Sequence, residues 1–221
     1  MSRPTPAEVR NPVPPDFANV ASRWAREEAD ALLGLVWAGC DRLAADYFSR
    51  IPWDEPLEQL ETTLNLWLYL SIQQCMTRYE AFDLVHAPTE QLTRAPAPAM
   101  APTYDLAFRW RDQELVWWPI EGKVLPTDGR LNDYVKEVQK NYLTCRYAPL
   151  SGEGAMVGYL MKGEPEKVLA RLGEVFVTCP HPTFAPARAH AVSDHDRSVP
   201  HGKPYAPRFR CHHLILLVPQ P

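Results

Sequence analysis

Apolar residues return at helical spacing over residues 22–50: Trp24, Leu32, Leu33, Val36, Trp37, Cys40, Leu43, Tyr47 and Phe48. Such a stripe is one face of an amphipathic helix. Ser22 can cap it, and Glu27 and Glu28 favour its N-terminal half. "IPWDEP" breaks the chain. A second stripe of Leu57, Leu60, Leu64, Trp67, Leu68, Ser71, Ile72 and Cys75 predicts a helix from near Asp54 to about Tyr79. Two long amphipathic helices in succession are expected to pack together as a hairpin.

The rhythm then changes. "FDLVH" (82–86) reads as a short strand. The stretch 87–103 contains Pro88, Pro96, Pro98 and Pro102, which exclude regular structure beyond one helical turn around Glu90–Arg94. "YDLAFRW" and "LVWWPIEGKVL" are strand-like, and "RDQE" between them predicts an antiparallel hairpin. A helix follows from about Leu131, with Leu131, Tyr134, Val135, Val138, Tyr142 and Leu143 as its apolar stripe and Lys136, Glu137 and Lys140 facing out. "AMVGYLMKG" predicts a buried strand and "EPEKVLARLGEVF" a helix with Pro165 in its first turn. Residues 180–209 show no clear period except a strand at "RAHAVS", and "CHHLILLV" closes the chain as a strand. Helix, helix, three strands, helix, strand, helix and late strands describe an α/β protein: a mixed sheet with helices on its faces and an N-terminal helical hairpin.

A length of 221 residues suits one domain over 22–221, with helices to about residue 80, preceded by a Pro-rich arm (1–21) expected to be poorly ordered. No apolar run approaches the ~20 residues of a membrane span. The N-terminus lacks the apolar segment of a secretory signal. Five cysteines, an odd number without CxxC, fit a reducing compartment. The expectation is a cytoplasmic chain with no membrane partner. A net charge of −4 does not advertise nucleic-acid binding. The segment 180–213 is different: Arg188, Arg197, Lys203, Arg208 and Arg210 stand there against Asp194 and Asp196, among six histidines. It reads as a solvated loop or as a basic rim facing phosphates.

The charges that matter most interrupt an apolar strand. Glu121 and Lys123 sit two apart, so on a strand they share a face, and burying either unpaired is costly. Asp105 waits at the start of the preceding strand. Two carboxylates converging from neighbouring strands offer hard oxygen ligands suited to Mg²⁺. Lys123 can steady developing charge, and Gly122, on the opposite face, permits close helix packing.

Asp105, fifteen intervening residues, then Glu121-Gly122-Lys123 resembles the PD-(D/E)xK nuclease superfamily and its restriction-endonuclease-like fold. The family's proline lies three positions upstream of the aspartate, at Pro102. The resemblance covers the strand, strand, helix, strand order from about 82 to 161. It implies a DNA endonuclease that uses Mg²⁺, with Mn²⁺ substituting. It places Asp105 and Glu121 on the metal and Lys123 beside them. It also implies a role in restriction or anti-phage defence, as a homodimer or with partner proteins. Glu90, or Glu58 or Glu61 on the second helix, can add a carboxylate. Gln139 and Tyr142 correspond to a Gln and Tyr that line the site in related nucleases, although their spacing is shorter. Lys136 and Lys140 form an i, i+4 basic pair able to contact phosphates, and Arg188, Arg197, Lys203 and Arg208 are the further candidates. The alternative is a nuclease fold without chemistry, serving as a protein- or DNA-binding subunit. Zinc held by Cys179, His181, Cys211 and His213 is disfavoured by spacings too tight for a knuckle and by the alternation of strand side chains. No glycine-rich phosphate loop is present.

Overall fold

The computed structural model describes residues 26–77, 79–93, 101–111 and 115–218. The expected N-terminal arm, the start of the first helix and the turn at Asp112–Glu114 lie outside these residues. Helix α1 spans Arg26–Tyr47 and runs into a 3₁₀ turn, Phe48–Arg50. Helix α2 spans Leu57–Cys75. It begins three residues later than its apolar pattern predicts, because Glu55 precedes Pro56 and is steered away from helical backbone. Pro56 instead supplies the carbonyl that accepts from the Gln59 and Leu60 amides. It ends at Cys75 because Met76 turns extended (ψ 144°). The two helices pack as the hairpin their stripes predict, and Gly39 sets how closely: a Cβ there would lie 2.3 Å from Ile72 Cγ1.

Among the described residues seven strands form one mixed sheet: β1 (Phe82–His86), β2 (Leu106–Trp110), β3 (Trp117–Leu125), β4 (Glu153–Leu160), β5 (Thr178–Pro180), β6 (His190–Asp196) and β7 (Arg208–Leu217). The spatial order is β1-β2-β3-β4-β7-β6-β5. β3, β4 and β7 are mutually parallel, and every other pairing is antiparallel. The parallel step from β3 to β4 needs a crossover. It is made by α3 (Asn132–Glu137), which continues into a π-turn at Val138–Tyr142, the Leu143 amide reaching back to Val138 O at 3.0 Å. Helix α4 (Pro165–Val175) carries Pro165 at its start, where no amide hydrogen is required. Strand β5, three residues long, was too short to register as a pattern.

Helices cover both faces. α1 and α2 bury Leu32, Val36, Leu64 and Leu68 against Trp118, Ile120, Val157, Tyr159 and Leu214. On the other face Tyr134, Val138, Tyr142, Val168 and Leu172 pack on Met156, Leu160, Phe209 and Ile215. Each large side chain buried this way contributes about 1.5–3 kcal/mol. The five cysteines are free thiols, three of them buried. Among the described residues no helix is long and apolar enough to cross a membrane.

His213 on β7 is fully buried on the α3/α4 face. It is stacked on Phe176, and its ring nitrogens face Tyr134 Oη (3.1 Å) and Ser193 Oγ (2.7 Å). Burial, then the neighbouring His195 and His212, push its pKa down to about 3. The unfolded chain therefore takes up a proton below about pH 6.5 that the folded chain refuses, so stability falls as pH falls through that window. Urea unfolding at pH 8 and pH 5 is expected to differ by about 2 kcal/mol from this residue. His213→Gln, which does not titrate, is expected to remove that share of the difference.

Candidate functional site

Strand β2 stops pairing with β3 at Leu106↔Ile120, while β3 runs on to Leu125. The amides of Gly122 and Val124 on that open side are taken up by side-chain carboxylates instead of a strand. Gly122 N–H donates to Asp105 Oδ2 at 2.8 Å and Val124 N–H to Glu61 Oε2 at 3.0 Å. Asp105 returns the interaction: its own N–H donates to Glu121 Oε1 at 3.1 Å. Its carbonyl accepts from the Ala87 amide at 2.9 Å, which ties it to the end of β1. Asp105 and Glu121 are thus clasped by reciprocal main-chain contacts across the β2–β3 junction. Their other oxygens, Asp105 Oδ1 and Glu121 Oε2, accept no hydrogen bond from the described residues.

Lys123 lies at the same notch. Its Nζ is 2.6 Å from Glu61 Oε1, and both side chains are about four-fifths buried. Of the two helical acids, Glu61 is the one at the notch; Glu58 is exposed. Burial opposes the charge on Lys123, but the Glu61, Asp105 and Glu121 carboxylates win and hold its pKa above the ordinary lysine range. Glu121 is only 3 % exposed. Burial first, then the charges of Asp105 and Glu137, push its carboxyl well above the usual range, against a smaller opposing pull from Lys123. Glu137 had been expected to face out. It is half-buried, takes a hydrogen bond from Asn141 Nδ2, and adds its charge to the cluster. Gly122 faces away, towards α2. A Cβ there would lie 1.9 Å from Asn65 Oδ1, the atom that also accepts the Tyr159 hydroxyl at 2.8 Å. Beside the Lys123–Glu61 pair opens a cavity of about 330 Å³, whose far wall includes Arg130, Asn132 and Asp133.

The supporting residues read from the sequence disperse. Glu90 is not a solvated loop residue. It is 1 % exposed, accepts from Leu92 N–H at 2.7 Å and from the Tyr104 hydroxyl, and burial raises its pKa. Tyr104 Oη in turn accepts the Ala148 amide at 2.8 Å, so Glu90 anchors the loop behind the site. Tyr142 is buried, donates to Ala155 O at 3.2 Å and stacks on Phe209, whereas Gln139 is exposed. The π-turn is the reason, since its wider turn puts residues beyond Glu137 out of phase with those before it.

The basic candidates disperse too. Arg197 is no part of a phosphate-facing rim. It is 7 % exposed and donates to four carbonyls: Tyr142 (2.8 Å), Ala148 (3.1 Å), Ser151 (2.9 Å) and Tyr147 (2.6 Å). Arg188 makes a two-pronged pair with Asp41 and covers Trp37. Lys203 lies half-buried against Tyr205. Lys136, paired with Asp133 at 3.0 Å, Lys140 and Arg208 remain exposed.

The cysteine–histidine set considered for zinc is divided by the sheet. Cys211 and His213 lie on the α3/α4 face, whereas His181 and His212 face α1 and Cys179 is exposed. What gathers on the α1 face is His181, His190 and His212. Strand alternation separates His212 from Cys211 and His213, and spacing alone did not pair His190 with His181 and His212.

Comparisons with protein-family models, with curated proteins and with solved structures give no match.

Arg197→Ala is expected to leave four carbonyls around the α3–β4 connection without their donor and to destabilise the fold by about 3–5 kcal/mol. Arg197→Lys is expected to recover only part of this, since an ammonium does not reproduce the planar fork. Thermal and urea unfolding measure both.

Proposed function

We propose that this chain is a divalent-cation-dependent nuclease acting on DNA, with Asp105, Glu121 and Lys123 as its reacting constellation. The observation that carries the reading is the reciprocal clasp of Asp105 and Glu121 at the β2–β3 junction, with one oxygen of each left over and Lys123 on the same strand. The order that follows, β3, then α3, then a parallel β4, agrees with the resemblance to the PD-(D/E)xK superfamily.

The donor set fits Mg²⁺, with Mn²⁺ as a substitute: carboxylate oxygens only, from Asp105 and Glu121, with Glu61 and Glu137 beside them. The raised pKa of Glu121 fits too, because a carboxyl that is buried and then crowded by two other negative charges is one that a cation relieves. When bound, such an ion supplies charge neutralisation and an acidified water. The chain's own residues do the rest. Asp105 and Glu121 are fixed by main-chain contacts, so their aim costs no reorganisation. Lys123, kept charged by Glu61, stands where a scissile phosphate gains negative charge. The cavity walled by Arg130, with the exposed Lys136 and Lys140 on α3, gives the phosphodiester backbone a place to lie. A nuclease of this kind serves restriction or anti-phage defence, as a homodimer or with partner proteins that choose the target.

Purified wild-type protein is expected to cut plasmid DNA only with Mg²⁺ or Mn²⁺. Asp105→Asn, Glu121→Gln and Lys123→Ala, each verified as folded by circular dichroism, are expected to lose at least about 10²-fold in rate. Cutting that survives all three substitutions would sink the proposal. So would a wild type that cuts neither DNA nor RNA, and a stable complex with another protein would then favour the binding-subunit reading. Cutting of RNA alone would overturn the substrate.

Because the Glu121 carboxyl holds its proton more tightly than usual, a proton competes with a cation there, and Mg²⁺ affinity is expected to rise with pH. Calorimetric titration in buffers of different ionisation enthalpy is expected to show proton release on binding, lost in Glu121→Gln.

A further inference from the structure

Far along the sheet from the acidic notch, a second cluster has a different chemistry. β6 and β7 pair with Val192 opposite His212 and His190 opposite Leu214, which brings two histidines onto the α1 face. His181, just after β5, is held beside them by its amide bonding to His190 O at 3.0 Å. All three side chains are at least 96 % buried: His181 is 3 %, His190 1 % and His212 2 % exposed. One ring nitrogen of each lies within 4.8 Å of the others. Both nitrogens of His212 and Nε2 of His190 have no hydrogen-bond partner. A buried imidazole nitrogen without a partner is destabilising, and two neighbouring rings in that state call for something that binds one nitrogen of each.

We infer that His181, His190 and His212 bind a single divalent transition-metal ion of the zinc class. Neutral imidazole suits zinc, cobalt and nickel, and all three rings are shielded from water. Outer carboxylates stand where such a site needs them. Asp30 Oδ1 is 3.5 Å from His181 Nε2, and Glu153 Oε2 is 3.5 Å from His212 Nε2. A cavity of about 280 Å³ bordered by Asp30, Glu153, Cys179, His181 and His212 gives the ion an entry path and a place for a fourth ligand. Metal–nitrogen bonds of about 2.0–2.1 Å require the three rings to draw together on loading.

The wiring also states what loading gives up. Trp37 Nε1–H donates to His190 Nδ1 at 3.2 Å, and the Thr183 amide donates to His181 Nδ1 at 3.2 Å. Ligation through His190 Nε2 moves that ring's proton to Nδ1, so Trp37 loses its acceptor. Trp37 therefore reports the event.

The test uses the untagged full-length chain, stripped with a chelator and titrated with Co²⁺ and Zn²⁺. One equivalent per chain is expected, with Co²⁺ d–d absorption, a change in emission that is absent in Trp37→Phe, and a Zn²⁺-dependent rise in Tm. His190→Gln and His212→Gln are expected to lose the stoichiometric ion. Asp30→Asn is expected to weaken it about 10–100-fold. Asp105→Asn, at the acidic notch, is expected to leave it unchanged. Should a histidine variant fail to fold, the Asp30→Asn affinity and the Trp37 signal still decide. A folded wild type that binds neither ion stoichiometrically overturns the inference, as does an ion retained by both histidine variants or lost from Asp105→Asn.

Discussion

The second half of β3, which β2 does not reach, must have its amides satisfied, and the chain meets that need with acids. Where β2 leaves off, a further strand would have supplied carbonyls. Here Asp105 and Glu61 supply carboxylates to Gly122 and Val124. A main-chain amide that must be paired thereby fixes the position of two negative charges; Glu61 holds Lys123, and Asp105 adds to the burial that already raises the Glu121 carboxyl. The cluster's electrostatics are a consequence of where one strand ends. Its rigidity comes from the opposite face, where Asn65 and Tyr159 close over Gly122 with no room for a side chain.

The parts legible in the chain beforehand were those with a clean period or a costly exception to one. The stripes of α1 and α2, the β2–β3 hairpin and the closing strand follow from spacing. Glu121 and Lys123 stood out because charges at the end of "LVWWPI" demand partners. Residues whose fate rests on distant packing were not legible. Arg197 looked like a surface cation, yet it spans four carbonyls contributed by the region from Tyr142 to Ser151. Glu137 looked like solvent because it falls off the apolar stripe, and its contact with Asn141 and its place beside Glu121 depend on how the helix packs on the sheet. His190 is more than twenty residues from His212 in sequence and adjacent to it only through strand pairing.

The two faces of the sheet divide the polar residues by chemistry. Oxygen donors gather at the notch between β2 and β3, flanked by α2 and α3. Imidazoles gather under α1 at the β6–β7 side, and a separate pair, His195 and His213, shares the Ser193 hydroxyl on the other face. Strand alternation does the sorting: consecutive His212 and His213 belong to different environments, one beside Trp118 and one beside Tyr134.

The outer strands are unequal. β5 is three residues long and ends in Pro180, which has no amide hydrogen to offer a newcomer. That border resists extension by another chain. β1, five residues with Leu84 at its buried centre, is the longer of the two outer strands among the described residues. If two copies join by continuing their hydrogen-bonded ladders, β1 is the margin that admits it, and the acidic notch, one strand inward, would then lie close to the seam.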